Sequence, residues 1–167
     1  GLGLTTVGFE PATNLLDDNQ KGTSKIINDY FDGALFDSFY PNQKAKVITS
    51  IAMFYDLEDP NSFVEGIKNI LSQDGVWINQ MNYLGTMLSL NAFDNISHEH
   101  LEYYSLSSLE FLLNRHELEV FKVDQNDLNG GSLRAYIGHK GQNETNLSVS
   151  KLRASEKLLK TTGPYDD

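Results

Sequence analysis

Cysteine is absent from all 167 residues, which excludes a disulfide framework, a thiolate nucleophile and a Cys-ligated zinc site within them. That composition fits a reducing compartment. Basic side chains are scarce beside acidic ones, 13 against 23, and the net charge of −10 gives a surface that repels phosphate backbones and anionic lipid. Nucleic acid and membrane surfaces are set aside as main partners. Also missing is any run near the roughly 18 to 20 apolar residues of a membrane helix, and the first residues lack the basic-then-apolar layout of a signal peptide. The expectation is a soluble, cytoplasmic protein. What the chain does have is apolar bulk: 40% hydrophobic residues with 9 Phe, 8 Tyr and 1 Trp, enough for a single core.

Short apolar runs alternate with longer segments at helical spacing, the pattern of βαβ units in an α/β fold with a mainly parallel sheet flanked by helices. Strands are expected at 5–9, 25–28, 46–51, 76–80, 118–123 and 133–138. A helix is expected over 61–72, where Pro60 precedes it, Phe63, Val64, Ile67, Ile70 and Leu71 share a face, and Asp74-Gly75 ends it. Another is expected over 107–115, with Ser107 as N-cap and Glu110 completing a capping box. Residues 124–131, rich in Asn and Asp, form a loop between the last two strands. The polar stretch 141–148 suggests a boundary between a core at 1–140 and a linker with the start of a C-terminal region at 141–167, the latter holding a helix at 152–159 and a turn at 163–167. The abrupt start at Gly1, almost directly in a β-type stretch, and the equally abrupt end suggest a segment of a longer protein.

Three groups of residues could carry chemistry. Glu10 follows the first strand directly and Pro11 stops it; an acidic side chain at the carboxyl end of a strand can accept both hydroxyls of a ribose. Asn28-Asp29 holds the same place after the second strand, where it could receive an adenine amino group. The densest group is Ser97-His98-Glu99-His100-Leu101-Glu102-Tyr103-Tyr104. A histidine there can take a proton near neutral pH. In an extended segment His98, His100 and Glu102 point to one side and Glu99 to the other, an alternation that also suits a two-His, one-carboxylate metal site. The spacing is not that of zincins and no further ligand cluster exists, so no metal is expected; a solvated polar loop is the remaining alternative. Third, the two glycines of Gly130-Gly131-Ser132-Leu133-Arg134, before a strand, allow close backbone approach to a ligand, and the guanidinium could hold a phosphate or carboxylate, although a bulge or turn with a surface Arg would look the same. His116 and His139 stand alone and are expected at the surface. No Gly-x-Gly-x-x-Gly, Walker A or Gly-x-Ser-x-Gly motif occurs.

Gly8-Phe9-Glu10-Pro11, the segment 93–100 leading to Tyr103, and 130–134 appear in an order that resembles the S-adenosylmethionine-dependent C-methyltransferases acting on nucleotide-linked keto-sugars. The likeness extends over about 7–165. It implies a Rossmann-like class I methyltransferase core whose first strand and Gly-rich cofactor loop have no counterpart in these residues. It also implies S-adenosylmethionine as cofactor, with Glu10 on its ribose, Asp29 near its adenine, and Ser50 and Ile51 near its methyl donor. His100 would be the general base, assisted by Glu99 and with His98 beside it, while Tyr83, Tyr103 and Arg134 would contact a small-molecule acceptor. Two features depart from the family: Ser97 stands where a Tyr is usual, and the family's N-terminal zinc-binding region has no counterpart. The alternatives are a degenerate methyltransferase-like domain used for binding or assembly, and O- or N-methylation. An absent central strand would leave edges that favour self-association.

Overall fold

The computed structural model describes residues 3–16 and 21–162, and the chain divides after Pro41 into two compact units. In the first, β1 (Val7–Phe9) and β2 (Lys25–Ile27) pair in parallel, Val7 opposite Lys25 and Phe9 opposite Ile27. Helix α1 (Gly33–Phe39) follows, its first turn capped by the Asp32 carboxylate, which accepts from the Ala34 N–H at 2.7 Å. Ile27 and Phe36 are buried, and the Phe9 and Phe31 rings meet edge to face at 5.2 Å.

The second unit contains β3 (Ala45–Ile51), α2 (Pro60–Ile70), β4 (Leu71–Asn82), α3 (Leu84–Leu90), α4 (Leu106–Asn114), β5 (Leu118–Asn126), β6 (Ser132–His139) and α5 (Leu147–Thr162). Its four strands lie in the order β3-β4-β6-β5. Only β3 and β4, which are joined across α2, run parallel; β6 is antiparallel to both β4 and β5. The sheet of this unit is therefore mixed where a mainly parallel one was expected. The short link through a 3₁₀ turn at Leu128–Gly130 leaves no room for a crossover helix, so β6 must double back on β5. Among the described residues β3 pairs only with β4, and Val47 and Ile51 on it are 61% and 51% exposed.

Trp77 on β4 anchors the core. It is fully buried, with Phe54 at 5.5 Å and Phe63 at 6.1 Å between ring centroids, and its indole N–H donates to Ser50 Oγ at 2.9 Å. Val64, Ile67 and Ile70 form the buried stripe of α2, the periodicity visible in the sequence. That helix starts one residue earlier than expected, with Asp59 as its cap and Pro60 in its first turn, and it gives way to β4 at Leu71.

Helix α4 begins at Leu106, not after Ser107. Ser105 is its N-cap and Ser108 completes the capping box, whereas Glu110 pairs with Arg153 of α5. The polar stretch 141–148 leads into α5, which packs on β5 and α4 within the second unit, with Val149 and Leu152 buried. The turn expected at 163–167 lies outside the described residues. No helix among the described residues is long and apolar enough to cross a membrane.

Candidate active site

In the first unit, Glu10 and Asp29 emerge at the carboxyl ends of two adjacent parallel strands. Glu10 donates its backbone N–H to the Ile27 carbonyl at 3.0 Å, which continues the β1–β2 ladder by one residue, and Asp29 follows two residues after Ile27. The Glu10 carboxylate accepts from the Ala12 N–H at 2.9 Å, and that of Asp29 from the Tyr30 N–H at 2.8 Å. Asn28 has a different part from the one read in the sequence: its amide donates to the carbonyls of Glu10, at 2.7 Å, and Pro11, at 3.2 Å. It ties the two strand-end loops together and is thereby committed within the protein. Two carboxylates held on paired strand ends make an acceptor-rich rim suited to hydroxyl and amino groups of a ligand.

A separate cleft of about 400 Å³ opens in the second unit, lined among others by Tyr55, Asn82, Asp94, Asn95, His100 and Gly130. Backbone geometry at the ends of β3 and β4 shapes it. Ala52, just past β3, adopts left-handed dihedrals (φ 52°) while its N–H donates to the Gln80 carbonyl at 2.9 Å. That conformation is costly for a residue with a Cβ. It turns the chain into the 3₁₀ turn Phe54–Asp56, which presents Tyr55 edge-on to the His100 ring at 4.6 Å between centroids. The Tyr55 carbonyl accepts from the Glu102 N–H at 3.0 Å, so the turn and the histidine loop are stitched together. On the far side, Gly130 (φ 76°) lines the cleft, and a Cβ built there would stand 3.4 Å from Asn95 Nδ2. Gly131 packs so closely on Thr86 that a Cβ would lie 2.3 Å from its methyl group. Gly131 thus serves a close approach within the protein itself, to Thr86, whereas the sequence reading was of approach to a ligand.

His100 has the chemistry of a base. Its Nδ1 lies 2.9 Å from the Asn95 carbonyl oxygen. A carbonyl only accepts, so Nδ1 carries the proton in this contact, and in the neutral ring Nε2 holds the lone pair. Asp56 lies within electrostatic reach of both His100 and Glu99. Burial raises the Asp56 carboxyl above its usual range, His100 opposes that rise and Glu99 reinforces it. The Tyr55 hydroxyl is likewise pushed up, by burial and then by Asp56.

The histidine segment is not extended. The His100 N–H donates to the Ser97 carbonyl at 3.1 Å, closing a turn that Ser97 Oγ supports by accepting from the Glu99 N–H at 3.3 Å. His98 and Glu99 consequently stand exposed on the turn while His100 faces the cleft, so the alternation that an extended segment would give does not form. Tyr103 braces the loop: its hydroxyl accepts from the Ser97 N–H at 3.2 Å, and its ring lies 6.3 Å from that of His100.

Other expected site residues are committed elsewhere. The Ser50 hydroxyl, buried in the sheet, donates to Asn79 Oδ1 at 2.9 Å and accepts from Trp77, while Ile51 is exposed. Tyr83 is buried and donates to Glu156 at 2.8 Å; it borders a second cavity of about 380 Å³ beside α3 and α5, not the His100 cleft. Arg134 grips Gln80 Oε1 through Nε at 2.9 Å and a terminal nitrogen at 2.7 Å, opposite it in the β4–β6 register. Tyr55, Asp56 and Asn82 were not read from the sequence. The rule that marked Glu10, that ligands sit past the carboxyl ends of strands, marks them once the ends of β3 and β4 are known.

Solved structures place this architecture. An S-adenosylmethionine-dependent methyltransferase from Clostridium acetobutylicum superposes with a TM-score of 0.60 at 13% identity, covering 83% of this chain and 76% of that one. The plantazolicin methyltransferase BpumL, solved with SAH, gives 0.58 at 15% identity over 81% and 67%. The fold is that of the Rossmann-like class I methyltransferases. In sequence, this methyltransferase-fold chain is similar to the C-methyltransferase NovU of Streptomyces niveus, 29% identical over 157 residues. The similarity takes in 93% of this chain but spans only 37% of the NovU length. No protein-family model matches the chain.

Proposed function

We propose that this chain forms part of an S-adenosylmethionine-dependent C-methyltransferase that acts on a carbon next to a carbonyl in a small metabolite, a nucleotide-linked keto-sugar being the substrate class. The observation that carries the reading is the His100 imidazole, fixed by the Asn95 carbonyl as the Nδ1–H tautomer in a cleft at the strand ends of a methyltransferase fold. The similarity to NovU supports carbon as the site of methylation.

The strand-end carboxylates fit the cofactor. Glu10 would accept from the ribose hydroxyls and Asp29 from the adenine amino group, since both present acceptor oxygens at the ends of parallel strands. S-adenosylmethionine, when bound, supplies an electrophilic methyl on sulfur. His100 Nε2 removes the proton α to the acceptor carbonyl, and the electron pair left behind forms an enolate. That methyl would pass to the enolate carbon with sulfur leaving as the thioether, and His100 would be left holding the proton. Asp56, whose carboxyl burial raises and His100 lowers, stands within electrostatic reach of the base. The chain otherwise works by positioning, through the Tyr55–His100 contact and the braced turn.

Calorimetric titration of the full-length protein with S-adenosylhomocysteine tests the cofactor half. Glu10→Ala should weaken binding by about 5- to 100-fold, corresponding to about 1 to 3 kcal/mol for a lost charged hydrogen-bond acceptor. Unchanged affinity in the variant, or no binding by the parent, contradicts the assignment.

A further inference from the structure

Asn82 is the last residue of β4 and lines the cleft that holds His100. Its Oδ1 is buried and accepts no hydrogen bond from any described residue. Neighbours on the same strand are treated otherwise: Asn79 Oδ1 accepts from Ser50, and Gln80 Oε1 accepts twice from Arg134. A buried acceptor without a donor destabilises a fold, and such a group persists where a ligand provides the donor. The surroundings narrow the ligand. A volume of about 400 Å³ admits a sugar-sized group, and Asp94 and Asn95 with Asn82 make the wall polar, while the Asp94 carboxylate disfavours an anionic group at this spot. An uncharged hydroxyl is the donor that suits these constraints.

We infer that Asn82 determines acceptor specificity: its amide oxygen accepts a hydrogen bond from a hydroxyl of a polyhydroxylated acceptor seated against His100. The inference rests on the proposal that this cleft is the acceptor site of a methyltransferase, and it adds the group that selects the acceptor. A site that pairs a buried acceptor with a substrate hydroxyl rejects the analogue lacking that hydroxyl, because the buried group is then left unpaired.

The test uses the full-length protein saturated with S-adenosylhomocysteine, titrated calorimetrically with a nucleoside-diphosphate-linked keto-hexose and with analogues that each lack one ring hydroxyl. One deoxy analogue should bind the parent about 10- to 100-fold more weakly. Asn82→Leu should bind the full probe weakly and lose the preference, whereas Asn82→Asp, which keeps an acceptor oxygen, should retain it. Should Asn82→Leu fail to fold, the parent's discrimination and Asn82→Asp still decide the matter. The inference is overturned if Asn82→Leu discriminates like the parent, if Asn82→Asp loses the preference completely, or if the parent binds every analogue equally or none. A parent that does not bind S-adenosylhomocysteine counts against the methyltransferase reading itself, whereas cofactor binding without hydroxyl discrimination counts against the role of Asn82 alone.

Discussion

His100→Ala in the full-length protein should lower methyl transfer by about 10²- to 10⁴-fold while leaving S-adenosylhomocysteine affinity nearly unchanged, because a positioned base contributes about 3 to 5 kcal/mol to the transition state. The residue meets the geometric requirements for the role: it faces the cleft, its tautomer is set by a carbonyl at 2.9 Å, and its ring is packed on Tyr55. His98, exposed on the preceding turn, lacks all three, so His98→Ala should change turnover little. Glu99→Gln should fall between them, since it keeps the backbone turn and removes a negative charge that acts on Asp56 beside the cleft. Turnover by His100→Ala within about threefold of the parent would move the base elsewhere, with Asp56 the next group to test, and would leave the histidine turn as a structural feature.

The second large effect is on stability. Glu156 on α5 is only 6% exposed, yet its carboxylate is fully engaged. Oε1 accepts from the Tyr83 hydroxyl at 2.8 Å and the Leu106 N–H at 2.5 Å, and Oε2 accepts from the Ser107 N–H at 3.0 Å. It thus satisfies two of the orphan donors at the start of α4 and places a negative charge at the positive end of that helix. Burial, with Glu156 beside it, raises the Tyr83 hydroxyl well above its ordinary range, so Tyr83 stays protonated and keeps donating. Glu156→Ala leaves the buried Tyr83 hydroxyl and Leu106 N–H, and the half-buried Ser107 N–H, without an acceptor and should lower the unfolding free energy by about 2 to 4 kcal/mol in urea denaturation. Glu156→Gln should lose less, but not nothing, because its NH₂ must face one of the N–H donors. Since α4 begins directly after the Tyr103 end of the histidine loop, turnover should fall with the same ranking. A loss below about 1 kcal/mol for Glu156→Ala would show that water or a rearranged helix start satisfies these donors as well.

Local signals were legible in the sequence, and those set by distant partners were not. The α2 stripe and the strand ends at Glu10 and Asp29 each depend on a few consecutive residues and appear where the spacing places them. The start of α4 was misplaced by two residues because Ser105, Ser107 and Ser108 are all chemically able to cap, and Glu110 stood at the capping-box distance from Ser107. What decides among them is tertiary: Glu110 pairs with Arg153, and Glu156, 50 positions from Leu106, holds the helix start. The conformation of the histidine segment had no local signal in its residues, because the Ser97–His100 turn is fixed by backbone bonds and by the reach of Tyr103. Tyr83 stood as a ligand contact through the family resemblance and not through any local signal. Its burial against α5 could be seen only once that helix was placed.

The central claim is that methyl is delivered to carbon through an enolate made by His100. The most direct measurement gives the full-length protein a nucleotide-linked keto-sugar and S-adenosylmethionine carrying a labelled methyl, and follows the label by NMR. A parallel sample in deuterated water, with S-adenosylhomocysteine in place of the methyl donor, reports on the α-proton. The account predicts a new carbon-bound methyl next to the ketone in the first sample, deuterium at the same α-carbon in the second, and neither with His100→Ala. Label on oxygen or nitrogen, or carbon methylation that persists undiminished in His100→Ala, would contradict it.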